Sequence, residues 1–127
     1  MADPGRRARG AEMMKQVYAG DVVVPPEGAS AFADLMLEQL FAEVWTREAL
    51  TVRDRRLVLL GIIGALGERD TFQIQVRAAL ENGELTPAQV REVVITLASY
   101  AGYPRAAAQV VATEQTIAAV EKERQSA

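Results

Sequence analysis

The longest apolar run of the chain lies at its centre, at residues 57–66, and contains no charged residue. A charged cluster at 53–56 precedes this run, and Gly67 follows it. Since Gly61 and Gly64 would weaken a strand, and the charged flank lengthens the segment, the pattern predicts a helix. A helix that is apolar all round is expected to be buried on every side. The two glycines share one helical face, where they would let another helix approach closely.

On both sides of this run, apolar residues recur every three or four positions, which predicts further helices and no strand. The preceding helix, at about 31–45, is expected to begin at Ser30 and to bury a broad apolar face. That face consists of Phe32, Leu35, Met36, Leu37, Leu40, Phe41, Val44 and Trp45. Thr86 followed by Pro87 predicts another helix start, with a valine-rich stripe over 90–97. The chain is therefore expected to fold as five or six helices.

The length of 127 residues is enough for one domain with a core that needs no disulfide. We expect a single domain over 1–127, with a flexible arm at 1–10 and a solvated tail at 121–127. The early arginines are not followed by the apolar stretch of a signal peptide, so a cytoplasmic protein is expected.

The composition excludes several kinds of chemistry. The chain has no Cys and no His, which removes thiolate catalysis, disulfides, the commonest general base and the commonest metal ligand. We therefore expect no metal site. A net charge of −3 argues against a nucleic-acid partner and against a basic membrane anchor. The run at 57–66 is also too short to span a membrane.

Several short motifs, taken in order, resemble the carboxymuconolactone decarboxylase family over residues 10–120. The motifs are Glu43-Val44-Trp45-Thr46-Arg47, Leu50, Arg53-Asp54-Arg55, Ala65-Leu66-Gly67, Arg77-Ala78-Ala79-Leu80, Asn82-Gly83, Val90-Arg91-Glu92, Tyr100-Ala101-Gly102 and Pro104. The resemblance implies an all-α, single-domain helical bundle of the alkylhydroperoxidase D type. It also implies a homo-oligomer, either a trimer or a hexamer.

The resemblance places the family's functional positions on residues of a different kind. The peroxidase branch uses a Cys-x-x-Cys pair followed four residues later by His, and these positions fall at Glu68, Thr71 and Gln75. The absence of Cys excludes thiol peroxidase activity by that route. The decarboxylase branch lacks the cysteines but usually keeps the His, again at the position of Gln75.

The decarboxylase resemblance implies lyase chemistry on a small carboxylated lactone or ring compound, as in aromatic compound catabolism. No cofactor is expected, because an unsaturated lactone accepts the electrons left by CO2. The protein would supply cations, an apolar wall and a proton donor. The alternative is a non-catalytic, oligomeric binding or structural protein. The loss of His at Gln75 favours the alternative, and the retained arginines favour an enzyme.

The arginines that flank the apolar run are candidates for binding a substrate carboxylate. Arg53 and Arg55 are assigned this role, with Arg56 and Arg69 as further candidates, because a planar guanidinium binds a carboxylate bidentately. The alternative interpretation for each is a solvated or interface salt-bridge network with Asp54, Glu68 and Asp70.

Glu68 and Gln75 are the candidate catalytic residues, and Thr71, Tyr100 and Trp45 are further candidates for substrate binding. Residues 68, 71 and 75 share one helical face. Glu68 would donate the proton if burial raised its pKa, and Gln75 would bind a substrate oxygen. Each also has a structural interpretation: an acidic residue is favourable at a helix N-terminus, and both aromatic residues can simply pack.

Overall fold

The structure is a computed structural model that describes residues 5–127. Over this range it is helical and contains no strand, which confirms the all-α prediction. The elements are α1 (Arg6–Val17), α2 (Ala31–Leu35), a π-helical segment (Met36–Val44), α3 (Val52–Ala65), α4 (Arg69–Glu81), α5 (Pro87–Ala101) and α6 (Tyr103–Ser126). The chain divides between Val52 and Arg53 into two compact units. A single domain over 1–127 remains a prediction.

In the first unit, α1 packs against the π-helical segment. The contact is close at Gly10, where a Cβ atom would lie 1.9 Å from the carbonyl oxygen of Leu37. Arg6 strengthens the contact, since its Nε donates to the carbonyl oxygen of Glu38 at 2.6 Å. The prediction of a flexible arm is therefore wrong for residues 6–10, because this packing holds them in a helix. Residues 1–4 of that arm lie outside the described residues.

The helix start predicted at Ser30 is confirmed, because its Oγ accepts a hydrogen bond from the backbone of Ala33 at 3.0 Å. The predicted inward face of this helix is wrong in part. The side chains that are exposed instead are Phe32, Leu35, Leu40 and Val44. The buried side chains are Ala33, Leu37, Phe41, Ala42 and Trp45, and all of them except Ala42 are four residues apart. For Leu40 and Val44 the reason is the π-helical segment in which they lie, because its i→i+5 hydrogen bonds put more residues in each turn.

The second unit contains α3 to α6, and its core is formed by all four helices. The predicted valine-rich stripe of α5 is buried at Val90 and Val94. The expectation that the central run is buried on every side is wrong, since Val58, Ile62 and Leu66 are 54%, 52% and 62% exposed. The neighbouring helices cover only part of the surface of α3, and these three side chains form an uncovered face.

The ends of the helices in this unit follow the sequence signals. Thr86 and Gln89 form the reciprocal pair of hydrogen bonds called a capping box at the start of α5. Gly67, at a φ of 76°, follows the end of α3. The predicted tail at 121–127 continues α6 as far as Ser126, with exposed side chains. No helix among the described residues is both long and apolar enough to cross a bilayer.

Candidate functional site

An open groove of about 630 Å³ lies between α3 and α5, with the loop before α5 at one end. We call it the α3–α5 groove. Its wall is mostly apolar, from Leu57, Gly61, Ala65, Leu85, Val93, Leu97 and Ala101. Its polar side chains are Arg53, Gln89, Glu92, Thr96 and Tyr100. An apolar cleft with a few converging polar groups is the usual form of a small-molecule site.

The two glycines of the central run explain why the groove is open at one point and closed at another. A Cβ atom on Gly61 would meet nothing within 4 Å, so this position leaves the groove empty. A Cβ atom on Gly64 would lie 2.6 Å from Cδ2 of Leu97 and 3.2 Å from the ring of Phe72. Close helix approach is therefore confirmed at Gly64, whereas Gly61 serves to widen the groove.

Arg53 is the positively charged residue of the groove. It lies in the first turn of α3, where its Nε donates to the carbonyl oxygen of Glu84 at 3.0 Å. Its Nη1 is 3.5 Å from the carboxylate of Asp54. The side chain is 41% exposed, so an anion in the groove can reach it. The predicted role of Arg53 in binding a carboxylate is compatible with this position.

Arg56 lies one helical turn further along α3 and is fully buried. Its Nε and Nη2 donate to the two carboxylate oxygens of Glu84, each at 3.0 Å. Its Nη1 donates to Oε1 of Gln75, and Asn82 donates to Oε2 of Glu84 at 3.0 Å. A buried ion pair needs additional hydrogen bonds of this kind to offset the loss of hydration. Arg56 is thus a structural cation, but its buried salt bridge is to Glu84, which the alternative interpretation did not name.

The structure places the two predicted catalytic residues in different surroundings. Gln75 is only 2% exposed, and Arg56 orients its amide. Glu68 and Thr71 are exposed. Glu68 precedes the first helical residue of α4, at φ −83° and ψ 80°, so helical spacing does not place it above Gln75. None of these three residues lines the α3–α5 groove, and their catalytic and binding roles stay predictions.

The other predicted site residues also lie in different parts of the structure. Tyr100 is 92% exposed and lines the groove together with Arg53, so these two predicted residues belong to one site. Arg55 is half-buried on α3 and is not part of the groove wall. Trp45 belongs to the first unit and is 5% exposed.

Three polar residues of the groove were missed by the sequence analysis, namely Gln89, Glu92 and Thr96. They share one face of α5 with Tyr100, at helical spacings of three and four. This polar face was visible in the sequence, but the apolar stripe of the same helix was the stronger signal. Glu84 was missed as well, because it follows the end of α4 and has the appearance of a loop residue.

A sequence model of the carboxymuconolactone decarboxylase family matches residues 30–120, which is most of the chain. The chain belongs to this family. The family assignment confirms the resemblance of the short motifs, and it covers α2 to α6 with the groove and the buried Arg56.

Two curated relatives have similar sequences. A 4-carboxymuconolactone decarboxylase of Acinetobacter baylyi is 32% identical over 73 residues, which is 58% of this chain and 54% of the relative. A nitrosuccinic acid decarboxylase of Metarhizium robertsii is 31% identical over 86 residues, which is 66% of this chain and 58% of the relative. The chain thus spans little more than half the length of the curated relatives it matches.

Proposed function

We propose that this protein is a carboxy-lyase that acts on a small carboxylated lactone or ring compound bound in the α3–α5 groove. The observation that carries the proposal is Arg53 at the edge of an otherwise mostly apolar groove. The family supports it, because the names of both relatives denote decarboxylases and both named substrates contain a carboxylate.

The groove offers what binding and loss of CO2 require. Arg53 binds a carboxylate of the substrate through charge-assisted hydrogen bonds. The carboxylate that leaves as CO2 lies against the apolar wall at Leu57 and Leu97, because a less polar environment favours the neutral product over the anion. The electron pair of the broken C–C bond stays on the substrate, where an unsaturated lactone delocalises it without a cofactor.

The reaction ends when a proton is added to the substrate carbon. Glu92 and Tyr100 are the acidic side chains that line the groove with Arg53, and we assign the proton transfer to Glu92. Glu68, the donor predicted from the sequence, is the competing candidate at the exposed start of α4. Gln75 carries no titratable proton. Its amide oxygen accepts a hydrogen bond from Arg56, and Arg56 also binds the carboxylate of Glu84. Together they support Glu84, which is adjacent to Leu85 in the groove wall.

A homo-oligomer, a trimer or a hexamer, is part of the proposal. The uncovered face of α3 supports it: Val58, Ile62 and Leu66 are four residues apart, lie on one side of the helix and are all more than half exposed. Contiguous apolar surface of this kind marks interaction sites in soluble proteins.

The second candidate is a non-catalytic protein that binds a small carboxylate. Gln75 favours it, because a glutamine stands where the resemblance places the family's His and its Oε1 accepts from Arg56. In this case the groove and Arg53 still bind a ligand, but no group transfers a proton with the efficiency of a histidine.

The experiment that distinguishes the two is incubation with 4-carboxymuconolactone, with CO2 release and calorimetric binding measured in parallel. The enzyme proposal predicts CO2 release by the wild type. Glu92→Gln should reduce its rate at least about 100-fold, the lower limit of what a positioned acid usually contributes. We expect a loss of at least the same size for Arg53→Gln. Arg105→Gln is the matched control, since Arg105 is exposed, lies outside the groove wall and is not a candidate for carboxylate binding. Binding without CO2 release would establish the second candidate, and the absence of both would reject the site.

A further inference from the structure

Glu84, in the turn between α4 and α5, contacts two arginines of α3 through different groups. Its carboxylate accepts hydrogen bonds from Nε and Nη2 of Arg56, each at 3.0 Å. Its backbone carbonyl oxygen accepts a hydrogen bond from Nε of Arg53 at 3.0 Å. One residue thus joins the buried cation of the second unit to the cation of the α3–α5 groove.

The position of Glu84 is fixed by its main chain and by its side chain. The backbone N–H of Glu84 donates to the carbonyl oxygen of Ala79 at 2.9 Å. Asn82 donates a further hydrogen bond to the carboxylate at 3.0 Å. The side chain of Glu84 is only 10% exposed, so water competes little with its charge-assisted bonds to Arg56. The carbonyl oxygen that Arg53 contacts is therefore a well-anchored acceptor.

The contact with Glu84 orients Arg53 before any ligand binds. The side chain of Arg53 is 41% exposed, and a long side chain at such a position ordinarily samples several rotamers. If an arginine becomes ordered only on binding, the lost rotamer freedom lowers the affinity. Since the hydrogen bond to Glu84 exists in the free protein, part of this loss has already occurred.

The same contact decides which edge of the Arg53 guanidinium is open. A guanidinium binds a carboxylate bidentately through two neighbouring N–H donors. Nε is occupied by Glu84, so the edge formed by Nε and Nη2 is closed. Nη1 is 3.5 Å from Asp54, which is longer than an ordinary hydrogen bond, and the described residues provide no partner for Nη2. The edge formed by Nη1 and Nη2 remains for a ligand.

We propose that Glu84 is a positioning residue, which acts through Arg53 by directing the Nη1–Nη2 edge of its guanidinium to a ligand carboxylate in the α3–α5 groove. Glu84 is not part of the groove wall, so it does not touch the ligand itself. The inference rests on the proposed function, in which Arg53 binds a carboxylate. It applies equally to the carboxy-lyase and to the non-catalytic binding protein.

A double-mutant cycle with 4-carboxymuconolactone as the probe tests this role, with dissociation constants measured by NMR titration. Glu84→Gln removes the charge that Arg56 holds, and should weaken binding about tenfold through the loss of one well-oriented hydrogen bond to the ligand. In the Arg53→Gln background, Glu84→Gln should cause no further loss, because the residue through which it acts is absent. Glu81→Gln is the matched control, since Glu81 pairs with Arg77 outside the groove wall.

Two further measurements separate positioning from a general structural effect. The dimethyl ester of the lactone carries no carboxylate, so Glu84→Gln should leave its affinity unchanged. Without any ligand, the NMR signal of the Nε–H group of Arg53 should shift and exchange faster with water in Glu84→Gln. In Glu81→Gln this signal should stay as in the wild type.

A variant without buried charges separates positioning from a loss of stability. Glu84→Gln leaves Arg56 without its counter-charge, which lowers stability. The combination of Arg56→Leu, Gln75→Leu and Glu84→Leu removes the whole network, and apolar replacement of a buried ion pair is often neutral or stabilising. We expect an unfolding midpoint near that of the wild type, with binding of the lactone still weakened about tenfold.

Three results would overturn the positioning role. The first is undiminished binding of the lactone to folded Glu84→Gln. The second is an equal loss from Glu84→Gln with and without Arg53, or an equal loss for the dimethyl ester. The third is binding of wild-type strength to a stable triple-leucine variant.

Failure of this role can be distinguished from failure of the proposed function. Binding without CO2 release, together with no further loss from Glu84→Gln in the Arg53→Gln background, would reject the lyase and support the positioning role. CO2 release with additive losses in the cycle would support the lyase and reject the positioning role. The absence of any binding to the wild type would reject both.

Discussion

Two faces of α3 carry the same residue types in the same order, but the structure uses them differently. The buried face presents Arg56, Leu60 and Gly64, four residues apart. The face on the groove presents Arg53, Leu57 and Gly61 at the same spacing, displaced by three residues along the chain. On the buried face the arginine is fully enclosed and the glycine is in contact with Leu97. On the groove face the arginine is partly exposed and the glycine leaves space.

The difference shows that the surroundings, and not the residue type, separate a structural arginine from one that can bind a ligand. Glu84 is bound by both arginines but in different ways. Arg56 binds its carboxylate, and Arg53 binds only its backbone carbonyl oxygen. The carboxylate of Glu84 thus balances the buried charge of Arg56, whereas Arg53 is 3.5 Å from Asp54 and stays partly exposed at the groove. The following predictions test this division, from the largest expected effect to the smallest.

Replacement of the two arginines should affect different properties. Arg56→Leu leaves the carboxylate of Glu84 and the amide of Gln75 without their buried partner, and should lower the free energy of unfolding by about 3–5 kcal/mol. Arg53→Leu, at a partly exposed position, should lower it by less than about 1 kcal/mol. Urea unfolding of the two variants measures both values. Equal losses would contradict the division of roles.

The third face of α3 tests the proposed assembly. Ile62→Glu introduces a charge on the uncovered face formed by Val58, Ile62 and Leu66, and we expect it to convert the trimer or hexamer into smaller species. Light scattering at micromolar concentration measures the mass. Glu121→Lys, on the exposed end of α6, is a control that should leave the mass unchanged. A wild-type protein that is monomeric under these conditions would refute the assembly.

Alanine substitutions at the two glycines should change the free energy of unfolding by smaller amounts and in opposite directions. Gly64→Ala forces a new Cβ against Cδ2 of Leu97, and we expect the overpacking, about 1–3 kcal/mol, to outweigh the gain of up to about 1 kcal/mol in helix propensity. Gly61→Ala meets nothing within 4 Å and gains up to about 1 kcal/mol from the higher helix propensity of alanine. Thermal unfolding of the pair gives the comparison. The same sign for both variants would mean that the two faces do not differ as described.

Gln75→His restores the residue that the family resemblance places here, and we expect only a small gain in decarboxylation. The guanidinium of Arg56 would face the imidazole and disfavour its protonated form, because like charges repel. The gain in rate should therefore stay below the factor of about 10²–10⁴ that a positioned acid contributes. Rates of CO2 release from 4-carboxymuconolactone measure it, and a gain within that range would contradict the assignment of Gln75 to the support of Glu84.

The sequence predicted the helical class, the family and the helix boundaries marked by Ser30 and Thr86, because these depend on local signals. It did not distinguish Arg53 from Arg56, or Gly61 from Gly64, because each pair repeats one pattern on one helix. Their difference arises from α4, α5 and the loop at Glu84, which are distant in sequence. The exposure of Leu40 and Val44 was missed for another reason: both lie in the π-helical segment, which changes which residues share a face.

The most direct test of the proposed site is the binding of 4-carboxymuconolactone to Gly61→Leu. The new side chain extends into the α3–α5 groove without changing any charge, and a Cβ at this position meets nothing within 4 Å, so the fold should be retained. Titration calorimetry should show binding to the wild type and none to Gly61→Leu, with an unfolding midpoint no lower than that of the wild type. Undiminished binding to a folded Gly61→Leu protein would place the ligand elsewhere and contradict the account.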